Sequence, residues 1–277
     1  MNFTKMNGLG NDFIIVAHFE TMPHDADVMA RKMCDRHFGI GADGLVFILP
    51  STRADFCMRI INADGSEPEQ CGNAIRCVAK YIYDYQLAVK DTLSIETLAG
   101  VQHVRLTVEN GRAVKIRVDM GEPILKGANI PLTVDADQVV NHPIAVEDST
   151  FSFTGVSMGN PHAVIFVENA VTFDVEKWGP LFETHSMFPR KANIEFVSVR
   201  SPEEIDMRVW ERGCGQTLAC GTGACATLVA GALTGRTKRH AVVHLKGGDL
   251  DIEWASDGHV YMTGPAEEVF TGIWKKK

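Results

Sequence analysis

The sequence predicts an α/β protein built from two copies of one fold. Two similar glycine-bearing segments, CGNAIRC from Cys71 and CGTGAC from Cys220, begin 149 residues apart. Patterns typical of strands and helices follow one another in the same order in both halves of the chain. The same offset aligns further positions: Met58-Arg59-Ile60 with Met207-Arg208-Val209, Phe47 with Phe196, and Gly10-Asn11 with Gly159-Asn160. We therefore expect each copy to contribute one cysteine to a shared cleft.

The first half is defined by alternating apolar residues and by turn residues. Ile75, Val78, Ala79 and Ile82 recur at helical spacing, so they are expected to face a core. Asn110-Gly111 is a dipeptide typical of a two-residue hairpin turn. The predicted strands are 13–17, 45–49, 56–62, 93–96, 101–108 and 114–120, and the predicted helices are 26–36 and 72–86.

The second half repeats this order, with a second turn at Asp257-Gly258. Gly121 and Pro123 end a strand between the halves, so the domains are predicted at 1–120 and 121–264. The terminal stretch 265–277 could return a strand to the first domain or extend the second. The predicted strands of this half are 163–167, 193–199, 206–211, 242–245, 250–254 and 260–263, and its helix is 221–233.

Composition restricts the classes of function. A length of 277 residues and 45% hydrophobic content suit about two packed domains. The net charge of -8 disfavours a nucleic-acid partner. No apolar run approaches the roughly 20 residues that span a bilayer, and the first residues do not resemble a signal peptide. We therefore expect a cytoplasmic protein without a membrane partner, whose 7 cysteines are reduced thiols.

A cysteine at the start of a helix has particular chemistry. The first turn presents N–H groups without intrahelical acceptors and the positive end of the helix dipole. Both lower the pKa of a thiol, so the thiolates of Cys71 and Cys220 are expected to be accessible near neutral pH. Gly72, Gly221 and Gly223 would let a ligand carboxylate approach those N–H groups. Two such thiols on opposite faces of one α-carbon could invert it, one as base and the other as acid.

Other motifs favour structural roles. The segment from Gly39 to Gly44 fits the pattern GxGxxG, but it follows a helix and opens a strand, so it predicts a turn and not a dinucleotide site. The cysteine spacings lack the two-residue gap of zinc knuckles, so no metal is predicted. A disulfide between Cys71 and Cys220 would be an inactivated form. The remaining cysteines are expected to be small buried hydrophobes: Cys34, Cys57, Cys77, Cys214 and Cys225.

Five segments together carry a family resemblance. They are NGLGNDF at 7–13, GIGADGL at 39–45, INADGSEPEQCGNAIRC at 61–77, GNPH at 159–162 and ERGCGQTLACGTGAC at 211–225. In this order they resemble diaminopimelate epimerases. The resemblance implies an α/β (α+β) fold of two pseudo-symmetric domains, each a β-sheet or barrel wrapped around a central helix. It further implies interconversion of LL- and meso-2,6-diaminopimelate without a cofactor, on the route to lysine and peptidoglycan.

The resemblance also implies roles for residues at matching positions. Cys71 and Cys220 would be the two acid/base catalysts, assisted by His162 and Glu211. The carboxylate at the reacting centre would be bound at the helix starts by Gly72, Asn73, Gly221 and Thr222. The other polar groups of the substrate would be bound by Asn11, Asn62, Asn160, Asn193, Glu211 and Arg212. Gly44 stands where some members carry glutamine, so no contact is assigned to it.

Two other functions stay open on the sequence. A proline-type racemase of the same fold also uses two opposed cysteines, although its substrate lacks the second amino-acid end that Asn62, Asn193 and Arg212 would bind. A thiol redox or metal-binding protein without turnover is the other alternative. The resemblance leaves both a monomer and a homodimer open.

Overall fold

The computed structural model describes residues 1–17, 19–69 and 71–275. Two compact units are distinguished by their internal contacts. Unit 1 comprises Met1–Asp119 together with the described residues from 263 to 275, and unit 2 comprises Met120–Met262. Residues 276–277 of the terminal stretch lie outside the described residues. No helix in the described ranges is both long and apolar enough to cross a membrane.

In unit 1, strands both precede and follow the longest helix along the sequence. Its elements are β1 (Asn2–Gly8), β2 (Asn11–Val16), α1 (Ala26–Met33), β3 (Gly44–Leu49), β4 (Phe56–Asn62), α2 (Gly72–Asp84), β5 (Thr92–Thr97), β6 (Gly100–Glu109), β7 (Arg112–Asp119) and, from the C-terminal stretch, β17 (Glu267–Ile273).

Unit 2 follows a similar order. Its elements are β8 (His142–Val146), β9 (Ser149–Ser157), β10 (Pro161–Phe166), α3 (Val175–Glu183), β11 (Asn193–Ser201), β12 (Glu204–Glu211), β13 (Gly215–Gln216), α4 (Gly221–Leu233), β14 (His240–Leu245) and β15 (Gly248–Trp254). Strand β16 (Val260–Gly264) begins in unit 2 and ends in unit 1.

Strand pairing repeats between the units. In unit 1 the pairs β1/β2, β2/β3, β3/β4, β4/β5 and β5/β6 are antiparallel, parallel, antiparallel, parallel and antiparallel. In unit 2 the pairs β9/β10, β10/β11, β11/β12, β12/β14 and β14/β15 follow the same sequence. Phe13 lies opposite Gly44 in unit 1. The residues 149 positions later, His162 and Asn193, lie opposite each other in unit 2. The duplication predicted from the sequence is therefore confirmed at the level of topology and register.

A buried helix is surrounded by strands in each unit. Helix α2 contacts β1, β2, β4, β6 and β7, and the side chains predicted to face the core, Ile75, Val78, Ala79 and Ile82, are fully buried. Helix α4 contacts β9, β10, β11, β12, β14 and β15 and is buried along most of its length. Its glycines and alanines leave it apolar on nearly all sides, which suits a helix enclosed by strands. The predicted fold class is confirmed.

Helix α1 ends at Met33, three residues before its predicted end at Arg36. The carboxylate of Asp35 accepts hydrogen bonds from the N–H groups of His37 and Phe38, at 2.8 and 2.7 Å. A side chain that binds the backbone in this way favours a turn over continued helix. The N–H groups of Ile40 and Gly41 then donate back to the carbonyl of Met33. The segment from Gly39 to Gly44 is therefore a turn that leads into β3, as predicted.

Several elements were missed in the sequence. Strand β1 buries Thr4 and Lys5 beside Phe3 and Met6, so apolar alternation does not mark it. Helix α3 contains Gly179 and Pro180, which weaken a helical pattern, although Asp174 caps its first turn. Strands β8 and β9 were not predicted either. The terminal strand β17, which periodicity could not assign, pairs with β1 in unit 1.

A network of buried and exposed charges ties the turn after α1 to strands β1 and β2. Asp12 lies 2.7 Å from Lys5 and 2.8 Å from Arg36, and Arg36 also lies 2.8 Å from Asp43. Burial alone would raise the pKa of Asp12. Hydrogen bonds from Arg36 and Lys5 outweigh it and lower that pKa to about 2. The charged form of Asp12 is therefore stabilised by folding.

The first prediction concerns the turn after α1. A Cβ atom on Gly39 would lie 2.3 Å from the carbonyl oxygen of Lys32 and 2.6 Å from that of Met33. Because these are backbone atoms, Gly39→Ala is expected to destabilise the protein by about 3 kcal/mol, measured as a lower urea midpoint. Gly111→Ala is the control, because its Cβ would meet nothing within 4 Å and only its φ of 76° opposes alanine. Equal midpoints for the two variants would contradict the steric argument.

The second prediction concerns Asp12. A carboxyl group whose pKa is lowered by folding stabilises the protein above its unfolded pKa and loses that effect as the pH falls through its folded pKa. The window here runs from 3.8 down to about 2. Asp12→Asn is expected to lower the free energy of unfolding by at most about 2 kcal/mol at neutral pH, with the difference from wild type shrinking below about pH 4.

Urea unfolding followed at neutral and acid pH tests this expectation. Asp27→Asn is the matched control, because the ion pair of Asp27 with Arg31 is exposed and such pairs contribute little. A difference between wild type and Asp12→Asn that stays constant with pH would refute the assigned role.

Candidate active site

Cys71 lies immediately before the first turn of α2, in unit 1. It is the N-cap residue, with extended backbone angles of φ −149° and ψ 112°, and its carbonyl accepts a hydrogen bond from the N–H of Ile75 at 3.0 Å. Its side chain makes no capping hydrogen bond to the helix. Gly72 and Asn73 form the first turn, where N–H groups have no intrahelical acceptors. This arrangement suits the binding of an anion beside the thiol.

Asn11 connects this helix start to strand β2. Its Oδ1 accepts a hydrogen bond from Asn73 Nδ2 at 3.1 Å and lies 3.9 Å from the sulfur of Cys71. Its Nδ2 donates to Asp43 Oδ2 at 2.6 Å, and the same oxygen accepts the N–H of Asp12 at 3.0 Å. Asp43 therefore fixes which way the amide of Asn11 faces. This role of Asp43 was not predicted from the sequence.

Asn62 lies at the same end of the strands as Asn11. Gly44 pairs with Phe13 on one side and with Asn62 on the other, which brings the start of β2 beside the end of β4. Asn62 Nδ2 donates to Ser66 Oγ at 3.0 Å. Gly44 is buried, and a Cβ atom there would lie 3.2 Å from the carbonyl of Ile61. Asn11, Asn62, Gly72, Asn73 and Cys71 therefore form one half-site in unit 1.

Cys220 has the equivalent position in unit 2. It is the N-cap residue of α4, with φ −123° and ψ 108°, and it is 4% exposed. Gly221 and Thr222 form the first turn of the helix. The hydroxyl of Thr222 lies 3.6 Å from the sulfur of Cys220 and accepts a hydrogen bond from Asn160 Nδ2 at 3.3 Å.

Gly223 completes this first turn. Its own Cβ would lie 2.7 Å from Glu195 Oε1 and 3.3 Å from the sulfur of Cys220. A larger residue at this position would therefore have to displace the carboxylate of Glu195 and would crowd the thiol.

Glu211 is a partly buried residue whose carboxyl group lies beside Cys220. Burial is the main cause of a raised pKa for Glu211, and hydrogen bonds from Thr217 and Cys220 oppose that rise. Thr217 Oγ1 donates to Glu211 Oε1 at 2.5 Å. Because its pKa is raised, Glu211 is a better proton acceptor than an exposed carboxylate. Thr217 holds this group in place, a role that was not predicted from the sequence.

The thiol of Cys220 differs from the sequence prediction. Its pKa was expected to be lowered by the helix start, but burial raises it well above the ordinary value. The negative charges of Glu211 and Glu195 act in the same direction, whereas hydrogen bonds from Thr222 and the N–H of Gly223 oppose them. Burial therefore outweighs the helix start, and Cys220 is held as a neutral thiol in this arrangement.

His162 and Asn193 lie on neighbouring strands of unit 2. His162 is fully buried, with Nδ1 2.7 Å from Glu195 Oε1 and Nε2 3.0 Å from Asn160 Oδ1. Glu195 was missed in the sequence, although a charged residue within the apolar predicted strand 193–199 was a signal that could have identified it.

Asn193 supports the backbone next to Glu211. Its Oδ1 accepts the N–H of Arg212 at 2.9 Å, and its Nδ2 donates to the carbonyl of Pro161 at 3.1 Å. The side chain of Arg212 is exposed and donates to the carbonyl of Arg190. The second half-site therefore brings together its predicted members, namely Asn160, His162, Asn193, Glu211, Arg212, Cys220, Gly221 and Thr222.

The cysteines outside these half-sites differ in exposure. Cys34, Cys77 and Cys225 are buried, as expected. Cys57 is partly exposed and Cys214 is exposed, so the expectation of burial was wrong for these two. Cys214 lies in a turn between Gly213 and Gly215, both with positive φ, which places it at the surface. Within the described ranges, no group of three or more His, Cys, Asp or Glu side chains is arranged to hold a metal ion.

Comparison with solved structures shows the fold. A probable proline racemase from Agrobacterium radiobacter K84, with bound carbonate, has a TM-score of 0.73 at 14% identity and covers 100% of this chain and 93% of its own. Similarity at this level of identity concerns the arrangement of strands and helices alone. It agrees with strands enclosing a central helix in each unit.

Sequence relatives show the family. The family model described as "Diaminopimelate epimerase" matches residues 3–126 and 154–269. The diaminopimelate epimerase of Pelotomaculum thermopropionicum is 57% identical over 274 residues, which are 98% of this chain and 98% of the relative. That of Desulfitobacterium hafniense is 54% identical over 276 residues, with 99% and 98% covered. With cysteine-capped helix starts in both units and this similarity over nearly its full length, the chain belongs to the diaminopimelate epimerase family.

Proposed function

We propose that this protein interconverts LL-2,6-diaminopimelate and meso-2,6-diaminopimelate, a reaction that supplies lysine and peptidoglycan synthesis. The observation that carries the proposal is the repeated half-site. A cysteine occupies the N-cap position of a buried helix in each unit, and both occur in a chain more than half identical to diaminopimelate epimerases. We also propose that the predicted domains, 1–120 with 265–277 and 121–264, are the two catalytic lobes. The substrate is a small molecule, as family membership indicates.

The proposed reaction uses both thiols on one α-carbon. One sulfur removes the α-proton as a thiolate, and the other donates a proton to the opposite face, so that the configuration inverts. The roles exchange for the reverse reaction. Cys71 and Cys220 are the two residues, and the positions of both at helix starts support equivalent roles. Since the protein supplies both acid and base, the proposal includes no cofactor and no metal.

The carbanion formed by this step needs stabilisation. The α-proton of an amino acid is a very weak acid, and the negative charge moves onto the adjacent carboxylate as the proton leaves. Oriented N–H donors in a water-poor site stabilise such charge by about 3 kcal/mol each. We assign this role to the first-turn N–H groups at Gly72, Asn73, Gly221 and Thr222, which have no intrahelical acceptors.

Activation of Cys220 is assigned to Glu211. Because Cys220 is held as a neutral thiol, it needs a proton acceptor before it can act as a base. Glu211 is close enough to accept a hydrogen bond from that thiol, and its own raised pKa makes the transfer less unfavourable. A proton passed from Cys220 to Glu211 gives a thiolate beside a neutral carboxyl group. His162 assists from the same half-site.

The remaining polar residues suit a substrate with an amino acid at each end. Arg212 supplies a cation for a carboxylate, and amides can bind both a carboxylate and an ammonium group. We assign this binding to Asn11, Asn62, Asn160, Asn193, Glu211 and Arg212. A proline-type racemase would not use a second set of this kind. A reducing compartment such as the cytoplasm would keep both thiols reduced, and the proposal holds for a monomer or a homodimer.

The third prediction tests the two thiols. In D₂O, wild type is expected to convert LL-diaminopimelate into the meso isomer with deuterium at the inverted α-carbon, followed by NMR. Cys71→Ser and Cys220→Ser are each expected to lose epimerisation by about 10²-fold or more, because a hydroxyl is a far weaker acid and its alkoxide is inaccessible at neutral pH.

Cys57→Ser is the matched control, since Cys57 is a partly exposed thiol on β4 outside both half-sites. Full epimerisation by either single variant would contradict the two-thiol reaction. Racemisation of proline without turnover of diaminopimelate would favour the racemase alternative. Bound metal after purification, with no turnover of either substrate, would favour the metal-binding alternative.

The fourth prediction concerns Glu211. Glu211→Gln keeps the shape of the side chain but cannot accept a proton from Cys220. The variant is expected to lose roughly 10²-fold in kcat, with the loss smallest at alkaline pH, where the thiol ionises without help. The pH dependence of kcat measures this. A uniform loss at every pH would show that Glu211 serves binding and not proton transfer.

A further inference from the structure

One buried carboxylate of unit 2 takes no part in the proposed proton transfers. Glu195 lies on β11 and is fully buried, and its Oε1 is 2.7 Å from Nδ1 of His162. Its other oxygen, Oε2, has no hydrogen-bond partner within the described part of the chain. A buried carboxylate is costly unless a neighbouring positive charge balances it. The group in direct contact with Glu195 is the imidazole of His162, so that ring is the candidate cation.

A chain of hydrogen bonds leads from this pair to the catalytic thiol. Nε2 of His162 faces Asn160 Oδ1 at 3.0 Å, because the other end of that amide, Nδ2, donates to Thr222 Oγ1 at 3.3 Å. The Thr222 hydroxyl, having accepted that bond, can donate its own proton to the sulfur of Cys220, 3.6 Å away. Both ring nitrogens of His162 therefore face oxygen acceptors. From Nε2 onward, each donor in this series of hydrogen bonds is oriented toward the thiol of Cys220.

The first copy of the fold has an apolar pair at the positions equivalent to His162 and Glu195. The positions 149 residues before His162 and Glu195 are Phe13 and Val46, and both are buried. They occupy matching registers: Phe13 pairs with Gly44 and Ile15 with Val46, as His162 pairs with Asn193 and Val164 with Glu195. An apolar pair fills this place in unit 1, whereas unit 2 has an ionisable pair. The difference indicates a chemical role in unit 2 that packing alone does not explain.

We propose that Glu195 is a positioning residue of the second half-site: its carboxylate accepts the Nδ1 proton of His162 and holds the ring doubly protonated, so that hydrogen bonds through Asn160 and Thr222 donate toward the sulfur of Cys220. This inference rests on the proposed function, because the Cys220 thiolate that these hydrogen bonds stabilise is the one that removes the α-proton. Glu195 acts through His162 and does not touch the reacting atoms.

The charges around Cys220 give the physical reason. Glu211 and Glu195 both disfavour the thiolate, and Glu195 Oε1 lies against the first turn of α4, where Gly223 leaves room for it. Without a cation beside it, Glu195 would oppose formation of the thiolate. When His162 is protonated, its positive charge balances that of Glu195. The chain of hydrogen bonds through Asn160 and Thr222 then provides a donor to the sulfur. The charged groups that face the ring are thus Glu195 in contact and Glu211 nearby, with the thiol itself at the end of the chain.

The fifth prediction begins with the protons on His162. In the full-length protein labelled with ¹⁵N-histidine, NMR without substrate is expected to show a bonded proton on both ring nitrogens of His162. The signals are assigned by their loss in the variant His162→Phe/Glu195→Val. In Glu195→Gln, which lacks the carboxylate, one of the two ring protons is expected to disappear. A single ring proton in wild type would overturn the proposal.

Kinetics supply the second measurement. Glu195→Gln is expected to lower kcat roughly tenfold, the difference between a charge-assisted and a neutral hydrogen bond, while KM changes by less than about threefold. The pH at which kcat rises should shift upward, because the thiolate loses its donor. Glu195→Asp, which restores a carboxylate, is expected to recover part of kcat. A wild-type kcat and pH profile in Glu195→Gln would overturn the proposal.

Two further variants separate positioning from folding. His162→Phe/Glu195→Val installs the residues of the first copy, so it is expected to fold, by circular dichroism, while losing at least as much kcat as Glu195→Gln. Full activity of this double variant would refute the role of the pair.

Asp206→Asn is the matched control: Asp206 is a buried carboxylate of the same unit, paired with Arg200 at 2.6 Å, and its loss is expected to leave kcat unchanged. If wild type does not turn over diaminopimelate, the proposed function fails, whereas the NMR result still decides the state of His162.

Discussion

The candidate site depends on where the two buried helices begin. Each helix is enclosed by strands, and its first turn emerges at the strand ends where polar residues collect. First-turn N–H groups have no intrahelical acceptors, and the side chain of Cys71 does not cap them. The fold therefore supplies, in each unit, a group of donors next to a thiol. Glycine at 223 leaves room for the carboxylate of Glu195 beside this first turn, where a Cβ atom would lie 2.7 Å from its Oε1.

Burial and the helix start act in opposite directions on the same sulfur. At Cys220 burial and two carboxylates raise the pKa, while Thr222 and the helix start lower it, and burial prevails. A buried thiol is protected from solvent but needs help to ionise. In the proposed reaction Glu211 would accept the proton, and Thr222 would donate a hydrogen bond to the sulfur that remains. The chemistry of this half-site is thus a balance that neighbouring residues control, and the helix start is one contribution among several.

The two units share one backbone topology, but many equivalent side chains differ. The register of the strands is preserved at the 149-residue offset, so equivalent positions can be compared directly. Several of these positions differ in chemistry: Gly44 against Asn193, Asn62 against Glu211, Phe13 against His162, and Val46 against Glu195. The second half-site is consequently the more strongly charged of the two. A pair of equivalent thiols therefore lies in two unequal environments, which suits a substrate whose two ends must be distinguished.

The sequence by itself determined the duplicated α/β fold and the two helices that begin at a cysteine, because local periodicity, turn dipeptides and a repeated motif lie in neighbouring residues. Most polar members of the half-sites followed from the family resemblance of five segments. Tertiary structure alone decided three matters. It assigned β17 to unit 1 by pairing with β1, revealed β1 despite its buried Lys5, and showed that Cys220 is held as a neutral thiol. Each depends on contacts between residues distant along the chain, and for Cys220 the desolvation by those contacts outweighs the local effect of the helix start.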